Sequence, residues 1–237
     1  MKDEFINVSY FSAVKIARDN IYKGLKRNAG YASGKLVDIG CGIKPYEPIF
    51  KPYVELYFGV DYPQTIGSHY GINTKADLYA DCSETGIRDS VFDTLLSTQV
   101  IEHVFDTRKF IKECNRILVP GGIGIFTVPF LWECHSEPYD FYRFTKYSIQ
   151  KLFNESGFKI IVLENLEGAY AALMQARIIY MFGRRQLNVL QKVLCKLKQV
   201  FLLPYLNYKA LHFDRMYYNY NDKLCLNYLL VVKKINK

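Results

Sequence analysis

Three acidic side chains in the first half of the chain stand where short apolar runs end. Asp38 lies in Leu36-Val37-Asp38-Ile39, which stops at Gly40; Asp61 follows Leu56–Val60, and Asp81 follows Ala76–Ala80. If those runs are parallel strands, all three carboxylates face the crevice beyond the strands' carboxyl ends, where open sheets bind ligands. A carboxylate ending the second strand can accept both hydroxyls of a ribose, and one ending the third can accept an adenine's exocyclic amine. Between Asp38 and the next helix lies Gly40-Cys41-Gly42, where missing Cβ atoms let backbone approach a ligand closely. The turn alone is also explained as a tight strand-to-helix connection with no ligand. The dinucleotide pattern G-x-G-x-x-G is disfavoured, because Pro45 stands at its third glycine position. A charge at Asp38 would repel a pyrophosphate and suit an ammonium group.

The elements that must position these residues alternate. After a candidate helix over residues 9–30, with Phe11, Val14, Ile21 and Leu25 near helical spacing, come strand-like runs at 36–39, 56–60, 76–80 and 92–96. Residues 106–118 carry Phe110, Ile111, Cys114 and Leu118 on one helical face, and Pro120-Gly121-Gly122 breaks the chain. A fifth strand, Ile123–Val128, is apolar enough to be central. Lys146–Ser156 reads as a helix stopped by Gly157, Phe158–Leu163 as a sixth strand, and Leu226–Val232 as a last one. Strands alternating with helices predict an α/β fold with a mainly parallel sheet. Between the last two strands, 186–203 predicts an amphipathic helix with Leu187, Leu190, Leu194, Leu197 and Phe201 on one face.

Half of the 237 residues are hydrophobic, which excludes a globally disordered chain. The net charge of +8 is uneven: residues 170–237 hold 12 basic and two acidic side chains, so the excess is local to a basic patch. No secretory signal or membrane-spanning run is visible, and six cysteines without a C-x-x-C or zinc spacing read as reduced thiols. A cytoplasmic protein is expected.

Taken together, Val37-Asp38-Ile39-Gly40-Cys41-Gly42, Gly59-Val60-Asp61, Ala80-Asp81-Cys82, Phe92-Asp93, Ile101-Glu102-His103-Val104 and Leu118-Val119-Pro120-Gly121-Gly122 resemble, in order and spacing, the class I S-adenosylmethionine-dependent methyltransferases. The likeness is to the broad "methyltransferase domain 11" type and covers about 36–165. It implies a Rossmann-like sheet of seven strands, the last antiparallel, with helices on both faces and a helical insertion before that last strand. It places Asp38 and the Gly40, Cys41 and Gly42 backbone on the methionine end of the cofactor, Asp61 on the ribose and Asp81 on the adenine amine. It adds the Cys82 amide on the adenine ring and Gln99 beside the methionine part. The domains implied are an N-terminal helical cover (1–34), the cofactor-binding domain (35–167 with 223–237) and a basic helical insertion (168–222).

Methyl transfer to an alcohol needs a base, and histidine suits neutral pH. His103 follows the fourth strand; its other reading is an orienting or capping residue. His135, slightly favoured, lies in the loop 129–145 after the fifth strand, where His135, Tyr139, Asp140 and Arg143 resemble a segment of methyltransferases of bacterial surface-glycan biosynthesis. Tyr139, Asp140 and Arg143 are substrate-binding candidates; the alternative is an ordered lid with an Asp140–Arg143 ion pair. The carboxylates show no metal-ligand spacing, so no metal is expected.

The expected reaction is O-methylation of a small-molecule, lipid-linked or nucleotide-linked sugar acceptor. The basic segment 186–206 is read as a surface helix, a peripheral contact with an anionic membrane, or an acceptor groove. Nucleic acid is not the expected partner, although Tyr205, Tyr208, Phe213, Tyr217, Tyr218 and Tyr220 interleave the patch and keep an RNA methyltransferase open. A dimer, a catalytically inactive cofactor-binding protein and a nucleotide-dependent oxidoreductase are the remaining alternatives.

Overall fold

The computed structural model describes residues 8–62, 74–182, 189–217 and 223–235. Seven strands form one sheet: β1 (Lys35–Ile39), β2 (Leu56–Asp61), β3 (Leu78–Tyr79), β4 (Phe92–Thr98), β5 (Leu118–Pro129), β6 (Phe158–Leu166) and β7 (Asn227–Lys234). Their order is β3-β2-β1-β4-β5-β7-β6. β1 to β5 pair in parallel, while β7 runs antiparallel to both β5 and β6. The carboxyl ends of β1 to β5 therefore share one edge of the sheet, and the switch point lies between β1 and β4, the crevice an open sheet offers a ligand.

Side-chain alternation divides the core into two layers. Val37, Leu95, Phe126 and Leu230 pack on one face against α3 (Thr107–Ile117) and α4 (Lys146–Glu155). Their neighbours Leu36, Leu96, Ile125 and Leu229 pack on the other face against α1 (Lys15–Asn28) and α2 (Glu47–Phe50). Helices thus cover both faces. Caps set the helix starts: the Asp106 carboxylate accepts from the Lys109 amide at 2.9 Å, and the Thr145 hydroxyl from the Ser148 amide at 3.3 Å.

Four boundaries differ from those expected. α1 starts at Lys15 rather than near residue 9, because the Ser9 and Ser12 hydroxyls accept the Phe11 and Val14 amides and turn the chain, leaving Phe11 53% exposed. β3 is two residues long, pairing with β2 only at Val60↔Leu78 and Asp61↔Tyr79. Pro120-Gly121-Gly122 does not precede β5 but lies inside it, as an irregularity where the ladder with β4 jumps from Phe92↔Leu118 to Thr94↔Ile123.

The fourth difference is the helical segment before β7. Among the described residues it holds two helices, α5 (Ala169–Phe182) and α6 (Val189–Tyr217), so the basic helix reaches further toward the C-terminus than predicted. The face that packs carries Leu203, Leu206 and Ala210, against Ala171, Ala172 and Ile178 of α5 and Ile16 of α1. The Asn207 side chain fixes this docking by donating to the Tyr10 and Ser12 carbonyls at 2.6 and 3.0 Å. Of the predicted apolar stripe, Leu194 and Leu197 are half exposed and Phe201 is 76% exposed, while Leu187 lies outside the described residues. Tyr218 and Tyr220 lie outside them too.

Candidate functional site at the carboxyl ends of the strands

Asp38 comes from β1 and is buried. Its partner across the ladder is Gly59, where a Cβ would stand 2.4 Å from Lys44 Cε and 2.7 Å from Cys41 Sγ, so glycine is what permits the glycine turn to fold over β2. The Tyr57 hydroxyl donates to Asp38 Oδ2 at 2.6 Å, and among the described residues Oδ1 is buried with no hydrogen-bond partner. Burial dominates its titration and pushes the carboxyl up to about 7, against the lowering by Tyr57 and the Lys44 ammonium. Lys44 itself is buried and ion-paired to Asp77, whose other neighbour is the Gly59 amide at 2.7 Å.

Gly40 and Gly42 both take positive φ, 74° and 50°, the region an L side chain rarely enters. Where a Cβ on Gly42 would stand, no described residue lies within 4 Å. The turn is tied to the end of β2, because the Gly42 amide donates to Asp61 Oδ2 at 3.0 Å and the Tyr62 amide to Oδ1 at 2.8 Å. Asp38, the glycine turn and Asp61 thus form one unit. Asp81 lies one strand further out, exposed, with Oδ1 accepting from the Ser83 amide at 2.7 Å. Cys82 is half-buried against the core, and burial holds its thiol up at about 12. All six cysteines are free.

Gln99 follows β4 in a left-handed conformation, φ 56°, held by its amide on the Thr127 carbonyl at 3.0 Å and its side chain on Thr127 Oγ1 at 3.1 Å. That turn delivers the 3₁₀ segment Ile101–His103 to the same edge. Here the structure brings together residues that sequence kept apart. The His103 and His135 rings meet edge to face with centroids 4.8 Å apart. His103 Nδ1 donates to the Tyr139 carbonyl at 2.6 Å, which leaves Nε2 with the lone pair, 3.7 Å from Glu102 Oε1. Burial lowers the His103 pKa, so the ring is neutral near pH 7.

Glu102 is fully buried, and among the described residues neither carboxyl oxygen has a hydrogen-bond partner. Burial pushes its pKa up to about 8. The loop 130–145 closes over this pair. Arg143 donates from both terminal nitrogens to Asp140, at 2.7 and 2.8 Å, and also to the Glu133 and Trp132 carbonyls. Asp140 in turn accepts from the His135 amide at 2.8 Å and lies 3.2 Å from His135 Nδ1. Asp140 and Arg143 are therefore committed to each other and to the loop, whereas Tyr139 is 59% exposed.

Sequence reasoning missed Tyr57, Lys44 with Asp77, and the buried state of Glu102. Tyr57 could have been found, since it lies on the strand next to β1, two residues before the Gly59 that faces Asp38. Glu102 could not, because a Glu-His pair in a loop does not reveal which of the two is buried.

Comparison with known proteins bears on these residues. The profile of the methyltransferase-domain family matches residues 37–126, a span that includes Asp38 and His103. Residues 37–126 belong to a methyltransferase domain of the class I, S-adenosylmethionine-dependent type. Curated relatives include a probable S-adenosylmethionine-dependent methyltransferase of Mycolicibacterium smegmatis, 27% identical over 41% of this chain and 39% of the relative. Another is the ubiquinone biosynthesis O-methyltransferase of Caulobacter sp. strain K31, 32% identical over 38% of this chain and 39% of the relative. The matched stretches thus span about two fifths of those relatives' length.

Solved structures share the methyltransferase fold at low identity. An S-adenosylmethionine-dependent methyltransferase from Archaeoglobus fulgidus superposes with a TM-score of 0.54 at 15% identity, covering 98% of this chain and 97% of that one. Phosphoethanolamine N-methyltransferase 2 of Haemonchus contortus, solved with S-adenosylmethionine, gives 0.56 at 17% identity, covering 100% of this chain and 60% of that one. The cofactor of the domain is S-adenosylmethionine. The residues present fit it: a buried carboxylate oxygen lacking a partner suits an ammonium, and the glycine turn leaves open space beside it.

Proposed function

We propose that this chain transfers a methyl group from S-adenosylmethionine to an oxygen of a small-molecule or glycan-type acceptor, such as a lipid-linked or nucleotide-linked sugar. The reading rests on one observation: a neutral imidazole, His103, keeps its Nε2 lone pair available beside a second histidine at the cofactor edge of the sheet. The cofactor supplies an activated methyl on a sulfonium. The chain's residues bind and orient. Asp38 would take the ammonium, the Gly40–Gly42 backbone the methionine carboxylate end, Asp61 the ribose, Asp81 and the Cys82 amide the adenine, and Gln99 the methionine chain. With the cofactor bound, an acceptor oxygen would attack the methyl carbon as the sulfur–carbon bond breaks, and a histidine nitrogen would take its proton, giving a methyl ether and S-adenosylhomocysteine.

Oxygen is favoured because a matched relative is itself named an O-methyltransferase. Tyr139, exposed at the loop tip, would face the acceptor, while Asp140 and Arg143 act by holding the loop that carries His135. The test is calorimetric titration with S-adenosylmethionine and S-adenosylhomocysteine, NAD as control, followed by an acceptor screen on sugar nucleotides and lipid-linked sugars. Binding of both sulfur ligands with methyl transfer to a hydroxyl supports the reading. Binding without turnover on any acceptor favours a cofactor-binding protein that has lost catalysis.

A lipid-linked acceptor also gives the exposed part of α6 a use. Leu194, Leu197, Val200 and Phe201 are each at least half exposed on a helix that carries Lys196 and Lys198. Such a helix lies along an anionic membrane surface rather than across it. No helix among the described residues is long and apolar enough to span a bilayer.

A further inference from the structure

Glu102 poses an electrostatic problem that the methyl-transfer reading does not absorb. A carboxyl group with both oxygens buried and without a hydrogen-bond partner among the described residues is costly, and proteins accept such a group when something else neutralises it. The nearest guanidinium, Arg143, is committed to Asp140 and two carbonyls. A lone-pair nitrogen, His103 Nε2, stands 3.7 Å from Glu102 Oε1. A carboxyl oxygen whose proton a metal ion can displace, facing a lone-pair nitrogen, makes a place for a cation.

The third member comes from the loop. One oxygen of Glu102, one ring nitrogen of His103 and one of His135 all lie within 4.8 Å of one another. Each ring has the outer support that metal-bound imidazoles use: His103 Nδ1 is fixed by the Tyr139 carbonyl, and His135 Nδ1 lies 3.2 Å from both the Glu133 carbonyl and Asp140 Oδ2. Two imidazoles and a carboxylate are a donor set that suits zinc and leaves a coordination position open. Ligands about 2.1 Å from a tetrahedral ion stand roughly 3.4 Å apart, so the widest pair must close by up to about 1.4 Å. His135 sits on the loop between β5 and α4, and rotation of its side chain can close that distance while its amide stays held by Asp140.

We propose that Glu102, His103 and His135 form a binding site for a single divalent cation of the zinc type, with its open position toward the acceptor. The site departs from the expectation that no metal is involved; its third ligand comes from a separate loop, which leaves no spacing to read in the sequence. Binding of the ion does not depend on methyl transfer; only the use of the open position rests on that reading. There an acceptor hydroxyl would coordinate through oxygen and lose its proton to solvent, and that oxygen would form the new bond to the methyl carbon as the sulfur–carbon bond breaks. With no ion bound, the same nitrogens would be free to take the proton directly.

The experiment uses the full chain, stripped with chelator and titrated with zinc chloride alone. Cobalt(II) serves as a spectroscopic probe, and S-adenosylmethionine binding is measured in parallel. One zinc per chain is expected, with cobalt absorption bands of a four- or five-coordinate centre. Glu102→Gln, a neutral isostere, should weaken zinc at least tenfold, as should His135→Ala, which lies on the loop and keeps the assignment testable if Glu102→Gln misfolds. Cys134→Ser should bind as wild type. Absence of stoichiometric zinc, or zinc lost with Cys134→Ser and retained in Glu102→Gln, overturns the site. Zinc binding without S-adenosylmethionine binding would sustain this site while sinking the methyl-transfer reading, and the reverse pattern would do the opposite.

Discussion

The Tyr57 hydroxyl holds one oxygen of Asp38 at 2.6 Å and leaves the other buried and without a partner among the described residues. The pair is a half-finished site. Tyr57 stabilises the charged carboxylate, burial opposes it, and the balance leaves the group titrating at about 7. An ammonium arriving at Oδ1 would complete the pairing.

Cofactor affinity should therefore depend on pH through Asp38. Below pH 7 the carboxyl is protonated and cannot pair with an ammonium, so affinity should fall by up to tenfold per unit as pH drops from 7 to 5. Stability runs the other way. A carboxyl whose folded pKa is raised above its unfolded value of 3.8 contributes stability in its protonated form, and this is lost as pH rises between 3.8 and about 7. Asp38→Asn should abolish S-adenosylmethionine binding yet raise the melting temperature at pH 8 by a few degrees, corresponding to about 1 kcal/mol or more. A variant that melts no higher than wild type at pH 8 would show that the buried charge costs the fold nothing.

Tyr57→Phe isolates the other half of the pair. Without the hydroxyl, Asp38 loses the hydrogen bond that lowers its pKa, so the midpoint of the pH–affinity curve should move upward. At pH 7 the loss should be about 1.5–3 kcal/mol, the usual range for a hydrogen bond to a charged group. Titrations at three pH values read both effects. An unchanged midpoint would remove Tyr57 from the site.

Much of this arrangement was legible in the sequence. Asp38, Asp61 and the glycine turn were placed by strand ends, because apolar runs that stop at glycine or aspartate mark the carboxyl edge of a parallel sheet. The layer assignment of Leu36 against Val37, or Leu229 against Leu230, follows from strand alternation once strands are recognised. The meeting of His103 and His135 was not legible, because it depends on how a loop folds back across an edge, and no periodicity encodes that. The burial of Leu203 and Leu206 rather than Leu194 and Leu197 was hidden too. Both sets have helical spacing, and the choice between them is made by tertiary docking against α5 and α1, with Asn207 on the Tyr10 and Ser12 carbonyls.

Asp61→Ala should weaken cofactor binding by roughly 1.5–3 kcal/mol, the range for losing charge-assisted hydrogen bonds to a ligand. Part of the effect would be indirect, since Asp61 also accepts the Gly42 amide and so shapes the glycine turn. Asp61→Asn keeps an acceptor for that amide and should fall between wild type and alanine. Equal affinities for all three, by calorimetry, would take Asp61 out of the cofactor's contacts.

The Asp140–Arg143 pair should act on turnover and leave the cofactor alone. Burial raises the Asp140 pKa, but hydrogen bonds from Arg143 and the His135 amide outweigh it and hold the carboxyl down at about 2. A depressed carboxyl contributes stability present above its unfolded 3.8 and lost as pH falls toward 2, so the loop stays locked throughout the neutral range. Arg143→Ala should release the loop that carries His135 and cut kcat at least tenfold with S-adenosylmethionine affinity within about twofold of wild type, a loss of about 1.4 kcal/mol in transition-state stabilisation. Arg143→Lys should recover part of the rate but not all, because lysine cannot bind both carboxylate oxygens in a fork. Parallel losses of kcat and cofactor affinity would mean instead that the loop supports the cofactor site.

The exposed part of α6 makes a prediction independent of the active edge. Leu194, Leu197, Val200 and Phe201 bury little in the folded chain, so replacing them should leave the melting temperature nearly unchanged. If this stripe meets an anionic bilayer, its contribution is apolar burial plus lysine attraction to the surface, and both should register in vesicle sedimentation. Phe201→Ser with Leu197→Ser should reduce binding to phosphatidylglycerol-containing vesicles at least tenfold, and raising salt from about 0.1 to 1 M should weaken wild-type binding by screening the lysines. Neutral phosphatidylcholine vesicles should bind poorly from the start. Retention of wild-type binding by the double variant would move the membrane contact elsewhere on the basic surface, whereas absence of vesicle binding by the intact chain would favour a water-soluble acceptor.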